Sequence, residues 1–228
     1  MARYLADDCF PNYVLANGQQ NTLILLLQMF ERYSECGLTV PSDRPIAISG
    51  LENRIGRALK CKWQYGIFKS FMHRLLLWQR RDEAMQRILF KHAGVPSWSW
   101  MAYTGRIVFL EIPFGKVKWN KAIRYPFQTA ESDAFEGPAK KLRIQTADDE
   151  WGGLVFDNDI GSWDVQSLRC FVVGRRARPV LGDVLDLAHY LLILAPLKRI
   201  PPGAYQRVGV GVVKGRSISS ESEWVRVF

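Results

Sequence analysis

Along the first 94 residues apolar positions recur with helical spacing, and beyond them the pattern shortens to the alternation of strands. "NTLILLLQMFERY" predicts a helix that opens at Asn21 or Thr22 as N-cap and is built from straight-chain helix formers. "PSDRPIAISGLENRIGRAL" predicts a second helix, with Pro45 tolerated in the first turn and Gly50 marking a break or a close approach. In "YGIFKSFMHRLLLW" the apolar positions 67, 68, 71, 72, 75 and 76 form a stripe that predicts an amphipathic helix. "DEAMQRILFKH" places acids first and bases last, as a short helix dipole prefers.

Past Gly94 the alternation predicts strands near 98–103, 106–112, 116–119, 141–146, 153–156, 168–174, 189–195, 204–213 and 224–228. "VPSWSWMAYTG" reads as the first arm of a hairpin: Pro96 suits a strand start, Trp98 and Trp100 fall on one face, and Gly105 makes the turn. "QTAESDAFEGPAKK" is the most loop-like stretch. Helices followed by strands imply an α+β protein, with a helical layer (1–93) packed on an antiparallel β-sandwich or open barrel (94–228). At least one of the two indoles is expected to pack in the core where those layers meet, against Ile67, Phe71 and Leu75.

Composition narrows the function classes. The net charge of +9 permits an acidic partner, but it is spread evenly: 13 basic and 8 acidic residues precede position 95, and 18 and 14 follow. A diffuse excess of this kind is a solvated surface more often than a binding tract. Cys9, Cys36, Cys61 and Cys170 lack zinc-site spacing and follow no signal peptide, which points to reduced thiols in an intracellular, cytoplasmic or nuclear protein. The longest apolar runs, "LILLL" and "YLLILAPL", fall well short of the ~20 residues of a membrane span.

The chemistry-bearing motifs are few. "GVGVVKGRS" has the wrong spacing for a phosphate loop, with Lys214 before Gly215 rather than after it, and reads as a strand ending in a turn. Asp157 and Asp159, after "DDEW", lack the ligand spacing of a calcium loop and read as a solvated segment. His73, His92 and His189 are too scattered for a metal set, and no nucleophile elbow occurs. No catalytic residue, metal ligand or cofactor site is therefore expected. In "KVKWNKAIRYPF", Lys116, Lys118, Lys121 and Arg124 surround Trp119 and Tyr125, a mixture suited to phosphate contact and base stacking. The plainer reading is a strand with a basic solvent face and an aromatic core face.

Several short motifs, taken in order, resemble the C-terminal part of fungal heterokaryon-incompatibility (HET) domain proteins. "YSECGLTVPSDRPIAISGL" supplies Tyr33, Ser34, Leu38, Thr39, Asp43 and Gly50, and the next helical stretch ends in Leu-Leu-Trp at Trp78. Pro96, Ser97, Trp98, Ser99 and Trp100, with Gly105 after them, resemble the family's Pro-Ser-Trp-Ser-Trp segment, the most specific of the matches. "GAYQRVGVGVV" resembles its late Tyr-x-Arg-hydrophobic-Gly strand through Tyr205, Arg207 and Gly209. The family's N-terminal signatures, which belong to the half credited with death-effector activity, have no counterpart in the sequence. The resemblance thus implies a truncated, non-enzymatic accessory or regulatory protein acting through a protein partner, related to non-self recognition and cell-death signalling. The alternative is nucleic-acid binding through residues 116–125.

Overall fold

The computed structural model describes residues 10–11, 16, 18–91, 94–125, 133–143, 153–158, 163–177, 187–197 and 203–228. Among them the chain is mixed α+β but mostly β. Helices α1 (Gln19–Ser34) and α2 (Arg44–Ala58) supply a helical layer, and α3 (Met72–Leu75) is a single turn. α1 begins two residues before its expected cap: Gly18 is the N-cap, and the Thr22 hydroxyl donates back to the Gly18 carbonyl at 3.0 Å. Leu23, Leu26, Met29 and Phe30 form its buried stripe. α2 runs straight through Gly50, and its close approach lies instead at Gly56, where the Trp63 indole occupies the space of a Cβ.

The remaining elements are strands β1 (Trp63–Gln64), β2 (Ile67–Phe68), β3 (Trp78–Arg80), β4 (Ile107–Phe109), β5 (Val117–Trp119), β6 (Phe135–Leu142), β7 (Leu154–Phe156), β8 (Arg169–Arg176), β9 (Ala188–Pro196), β10 (Ala204–Lys214) and β11 (Ile218–Val227). β6, β8, β9, β10 and β11 form a closed five-stranded barrel rather than a sandwich or an open one. A closed ring with an odd number of strands must contain a parallel pair. Here it is β10 with β11, in the register Ala204–Arg226 and Tyr205–Val227, while every other pair in the ring is antiparallel. β5 extends the sheet from β8 and β7 extends it from β10.

β9 is buried on both faces. Tyr190, Leu192 and Leu194 join the principal core, which runs from Phe10 through α1 and the tryptophan segment to Val227. Leu191, Ile193 and Ala195 join a second cluster with Phe156, Leu168, Cys170 and Val208. The helical layer meets the strands at β4, whose free edge faces α1: Ile107 N–H donates to Ser34 Oγ and Phe109 N–H to Glu31 Oε1, both at 3.0 Å. Alternate amides of a sheet edge are thereby satisfied by one helix.

Three expectations are corrected. The 65–78 stripe is not one helix. Tyr65 and Gly66 both have positive φ (47° and 81°), which makes the two-residue turn of the β1–β2 hairpin; a 3₁₀ turn, α3 and β3 follow. Residues 82–91 are extended rather than helical, because Met85, Gln86 and Ile88 bond to the backbones of Asp157, Thr104 and Ala102. Residues 98–103 are not a strand: the backbone hydrogen bonds from Ser99, Ala102 and Tyr103 N–H to the carbonyls of Pro96, Ser99 and Trp100 wind them into turns, and β4 pairs with β3 instead. In addition, β6 starts inside the most loop-like stretch, and Pro138 is accommodated just before Ala139, the first residue paired with β8. The part of the 141–146 strand beyond residue 143 lies outside the described residues, as do Cys9, His92, "DDEW" and Asp159.

Two glycines should respond to alanine with opposite signs. A Cβ on Gly209 would lie 2.5 Å from the Val155 carbonyl oxygen and 3.0 Å from Phe156 Cα, so Gly209→Ala must push β7 away from β10. A loss of ~1–3 kcal/mol is expected for such overpacking. Gly50 is exposed within α2 with open space around it, so Gly50→Ala should stabilise by ~0.5–1 kcal/mol. Denaturant unfolding of the two variants checks both signs.

Candidate functional site

Three residues of the resemblance, Trp78, Ser97 and Arg207, meet at one position. Arg207 is wholly buried, on β10 at a register shift between Arg207 and Gly209 that turns the side chain out of the regular ladder. Its guanidinium donates to the carbonyl oxygens of Leu76 and Trp78, pairs with Asp157 at 3.1 Å, and lies 3.2 Å from the centre of the Trp78 ring. Burial lowers its pKa to about 10, with Asp157 the largest opposing influence, so it stays charged at neutral pH. Burial pushes the Asp157 carboxyl up from its ordinary range, against the pull of Arg207. Asp157 was expected in a solvated loop; it is 1% exposed and anchors β7 to β10 through its N–H bond to the Val208 carbonyl.

The Pro-Ser-Trp-Ser-Trp segment holds the backbone of Arg207. Ser97 Oγ accepts the Arg207 N–H at 2.9 Å and donates to the carbonyl of Phe228, tying β10 to the end of β11. Ser99 Oγ donates to the Tyr65 carbonyl at 2.8 Å and accepts from Met101 N–H, which caps the 3₁₀ turn. Serines that satisfy nearby backbone in this way favour turns over strands. Trp78 Nε1 donates to the Trp98 carbonyl and Trp98 Nε1 to the Asp133 carbonyl, both at 2.9 Å.

Both indoles are fully buried, but they do not share a face. Trp98 packs edge-on against Phe135 of β6 (4.6 Å between ring centres), with Tyr65 at 6.0 Å. Trp100 packs on Phe30 and Tyr33 of α1 at 5.4 and 5.9 Å, under the guanidinium of Arg44. One indole therefore grips the barrel and the other grips the helix. Ile67 and Leu75 are buried in the same core and Phe71 is half-buried beside it, but the rings stacked on the indoles are others.

The helical side adds two buried charged groups that no local pattern announced. Arg44 donates to the carbonyls of Tyr103 (2.7 Å) and Ser34 (3.4 Å), so Ser34 of the motif serves both α2 and β4. Tyr33 donates to the Arg44 carbonyl at 3.0 Å. Glu52 accepts the Gly66 N–H at 2.5 Å, and burial raises its pKa to about 7. Tyr205 is buried and its hydroxyl donates to Glu223, while Gly105 provides an exposed positive-φ turn. By contrast Thr39, Asp43 and Gly50 are exposed and Leu38 is half-exposed. The motif residues thus divide into a buried lock and an exposed strip.

The basic-aromatic segment divides as well. Lys116, Lys118, Lys121 and Arg124 are exposed, whereas Tyr125 is buried against Phe135 and His73. Trp119 is half-buried: it stacks on His73 at 5.2 Å and 21°, the Arg74 guanidinium lies over its ring at 5.4 Å, and a Cβ on Gly174 would collide with its Cε3 and Cζ3. Lys118, Trp119 and Asn120 instead border a cleft of about 640 Å³ that also takes in Lys140, Arg175 and His189. These last three come from β6, β8 and β9, and only the barrel brings them together. Among the described residues there is no cluster of three or more metal-ligating side chains. Nor is any helix among them long and apolar enough to cross a membrane.

Removing one partner of a buried ion pair strands the other, so Arg207→Met should cost ~3–5 kcal/mol. The double variant Arg207→Met/Asp157→Leu should recover much of that loss, as read by denaturant unfolding. For Glu52 the folded pKa of about 7 exceeds the ordinary 4.5, so the folded state holds the proton more tightly than the unfolded chain. Stability from this group is therefore full below pH 4.5 and falls as pH rises to about 7, by on the order of 3 kcal/mol. Glu52→Gln should flatten that slope in a pH series of melting temperatures. Comparison with known proteins found no matching family model, no matching curated protein and no matching solved structure.

Proposed function

We propose that this protein is a HET-like accessory or regulatory module without catalytic activity, acting through protein contacts in non-self recognition and cell-death signalling. One observation carries the reading: the residues of the resemblance separate by burial into two groups with different work. Trp78, Ser97, Trp98, Ser99 and Arg207 are buried and bonded to one another or to neighbouring backbone, and Trp100 is buried against Phe30 and Tyr33, which supports a structural rather than a chemical role. The other group surrounds exposed apolar side chains. Asp43, Ile46 and Gly50 are spaced three and four apart at the start of α2 and so share a face, and Ile46 is 73% exposed. Val40, 48% exposed, extends the strip beside Thr39. An apolar strip among polar residues is the composition of a contact surface.

Chemical cross-linking and co-purification from cells of the source organism tests this reading. A defined set of proteins should accompany the parent chain and be lost from a Val40→Asp/Ile46→Asp variant whose melting temperature is unchanged. Recovery of the same set with both chains would refute the contact surface.

The nucleic-acid alternative is favoured by one feature, the exposure of all four cations between Lys116 and Arg124. It loses its stacking partners, since Tyr125 is buried and the Trp119 ring is already stacked on His73 with the Arg74 guanidinium over it. On that reading single-stranded oligonucleotides bind with a steep salt dependence, and Lys118→Glu/Lys121→Glu weakens them. Parental affinity in that variant would dismiss it.

A further inference from the structure

We propose that the cleft bordered by β5, β6, β8, β9 and the start of β11 is a binding site for a small phosphate-bearing ligand. This goes beyond the protein-contact reading and does not depend on it. Lys118, Lys140, Arg175 and His189 reach the cleft from four separate strands, and no carboxylate is among the described residues that line it. Cations placed together without counter-charges repel one another, so their convergence over one depression costs stability unless an anion offsets it. None of the three permanent cations is in an ion pair among the described residues. Lys140 is held at the wall by its bond to the Ser220 carbonyl at 3.3 Å, whereas Lys118 and Arg175 are exposed at the mouth.

The walls suit the same ligand. Val172, Gly174 and Ile218 provide apolar, low-dielectric surface, which strengthens the field of the cations inside the cleft. Ser219 and Ser220 add polar groups at the edge. The His189 ring donates to the Leu187 carbonyl through Nδ1 at 2.8 Å, so Nε2 can donate to a phosphate oxygen once the ring takes up a proton. Burial first, and then the charges of Arg175 and Lys140, hold the His189 pKa below its ordinary value, a field that a bound anion would reverse.

Size and aromatic geometry select a small ligand over a strand of nucleic acid. A volume of about 640 Å³ lies in the middle of the ~300–1,000 Å³ typical of single small-molecule pockets. Trp119 forms part of the wall, but its ring is already stacked on His73 with the Arg74 guanidinium 5.4 Å from its centre, so successive bases would have to displace both. Lys121 and Arg124, the cations of the segment that continue away from β5, do not line the cleft.

Isothermal titration of the full chain with pyrophosphate tests the site, with flotation of phosphoinositide vesicles and a single-stranded oligonucleotide as parallel arms. Pyrophosphate should bind the parent, and Lys118→Glu/Arg175→Glu should weaken it about tenfold or more, as expected for loss of close charge contacts. Both residues are exposed, and an unchanged melting temperature shows that the variant is folded; Lys140→Gln gives a second, milder test at the wall. Lys121→Glu/Arg124→Glu should bind as the parent does. Vesicle binding that pyrophosphate displaces supports the site and identifies a lipid headgroup as the source of the phosphate; pyrophosphate binding without vesicle binding identifies a free ligand. The proposal is overturned if the parent does not bind pyrophosphate, if both double variants weaken it equally, or if the oligonucleotide binds and pyrophosphate does not displace it.

Discussion

Burying the charge of Arg207 is the constraint on which the rest of the structure depends. A guanidinium taken wholly out of water is tolerable only when it is paired and hydrogen-bonded. Here the partners come from two stretches of chain: Asp157 beside β7, and residues 76–78 at the entry to β3, which give the carbonyls of Leu76 and Trp78 and the Trp78 ring. Both stretches are thereby fixed against β10. The backbone of the same residue is held by Ser97, so one position joins the barrel, the tryptophan segment and the β3–β4 sheet.

Two indoles then carry the connection outward. Trp98 receives the Trp78 N–H on its carbonyl and lays its ring against β6, while Trp100, two residues on, lays its ring against α1. The turns at 96–103 make that divergence feasible, because a strand would have aimed both rings the same way. The serines between them spend their hydroxyls on Phe228, Tyr65 and their own turn. The segment is therefore a bracket between the helical layer and the barrel, which is why its alternating pattern is not that of a strand pair.

Legibility followed the range of the interactions involved. α1, α2 and the strands β8, β9 and β10 were readable because their local periodicity and their burial agree. Residues 65–78 misled because a hairpin turn with positive φ at Tyr65 and Gly66 interrupts an apolar stripe whose spacing imitates a helix. Residues 82–91 misled because their backbone is claimed by Asp157 and by residues 102–104, distant partners that no window can include. For the site, the tryptophan motif and Arg207 stood out only through a resemblance, and the ion-pair lock needed Asp157, 50 residues from Arg207 in sequence. Arg44, Glu52 and the cleft residues Lys140, Arg175 and His189 carried no sequence signal at all. Their meaning arises only when separate helices and strands are folded together.

The account holds that this bracket makes the helical layer and the barrel one cooperative unit. The Trp78 and Trp98 indole N–H groups, both buried and bonded to carbonyls of the bracket, report on it directly. Native-state hydrogen exchange should show both protons exchanging only through global unfolding, with the same opening free energy as the amides of β9 and β10. Exchange of either indole through a low-energy local opening, while β9 and β10 remain protected, would contradict it.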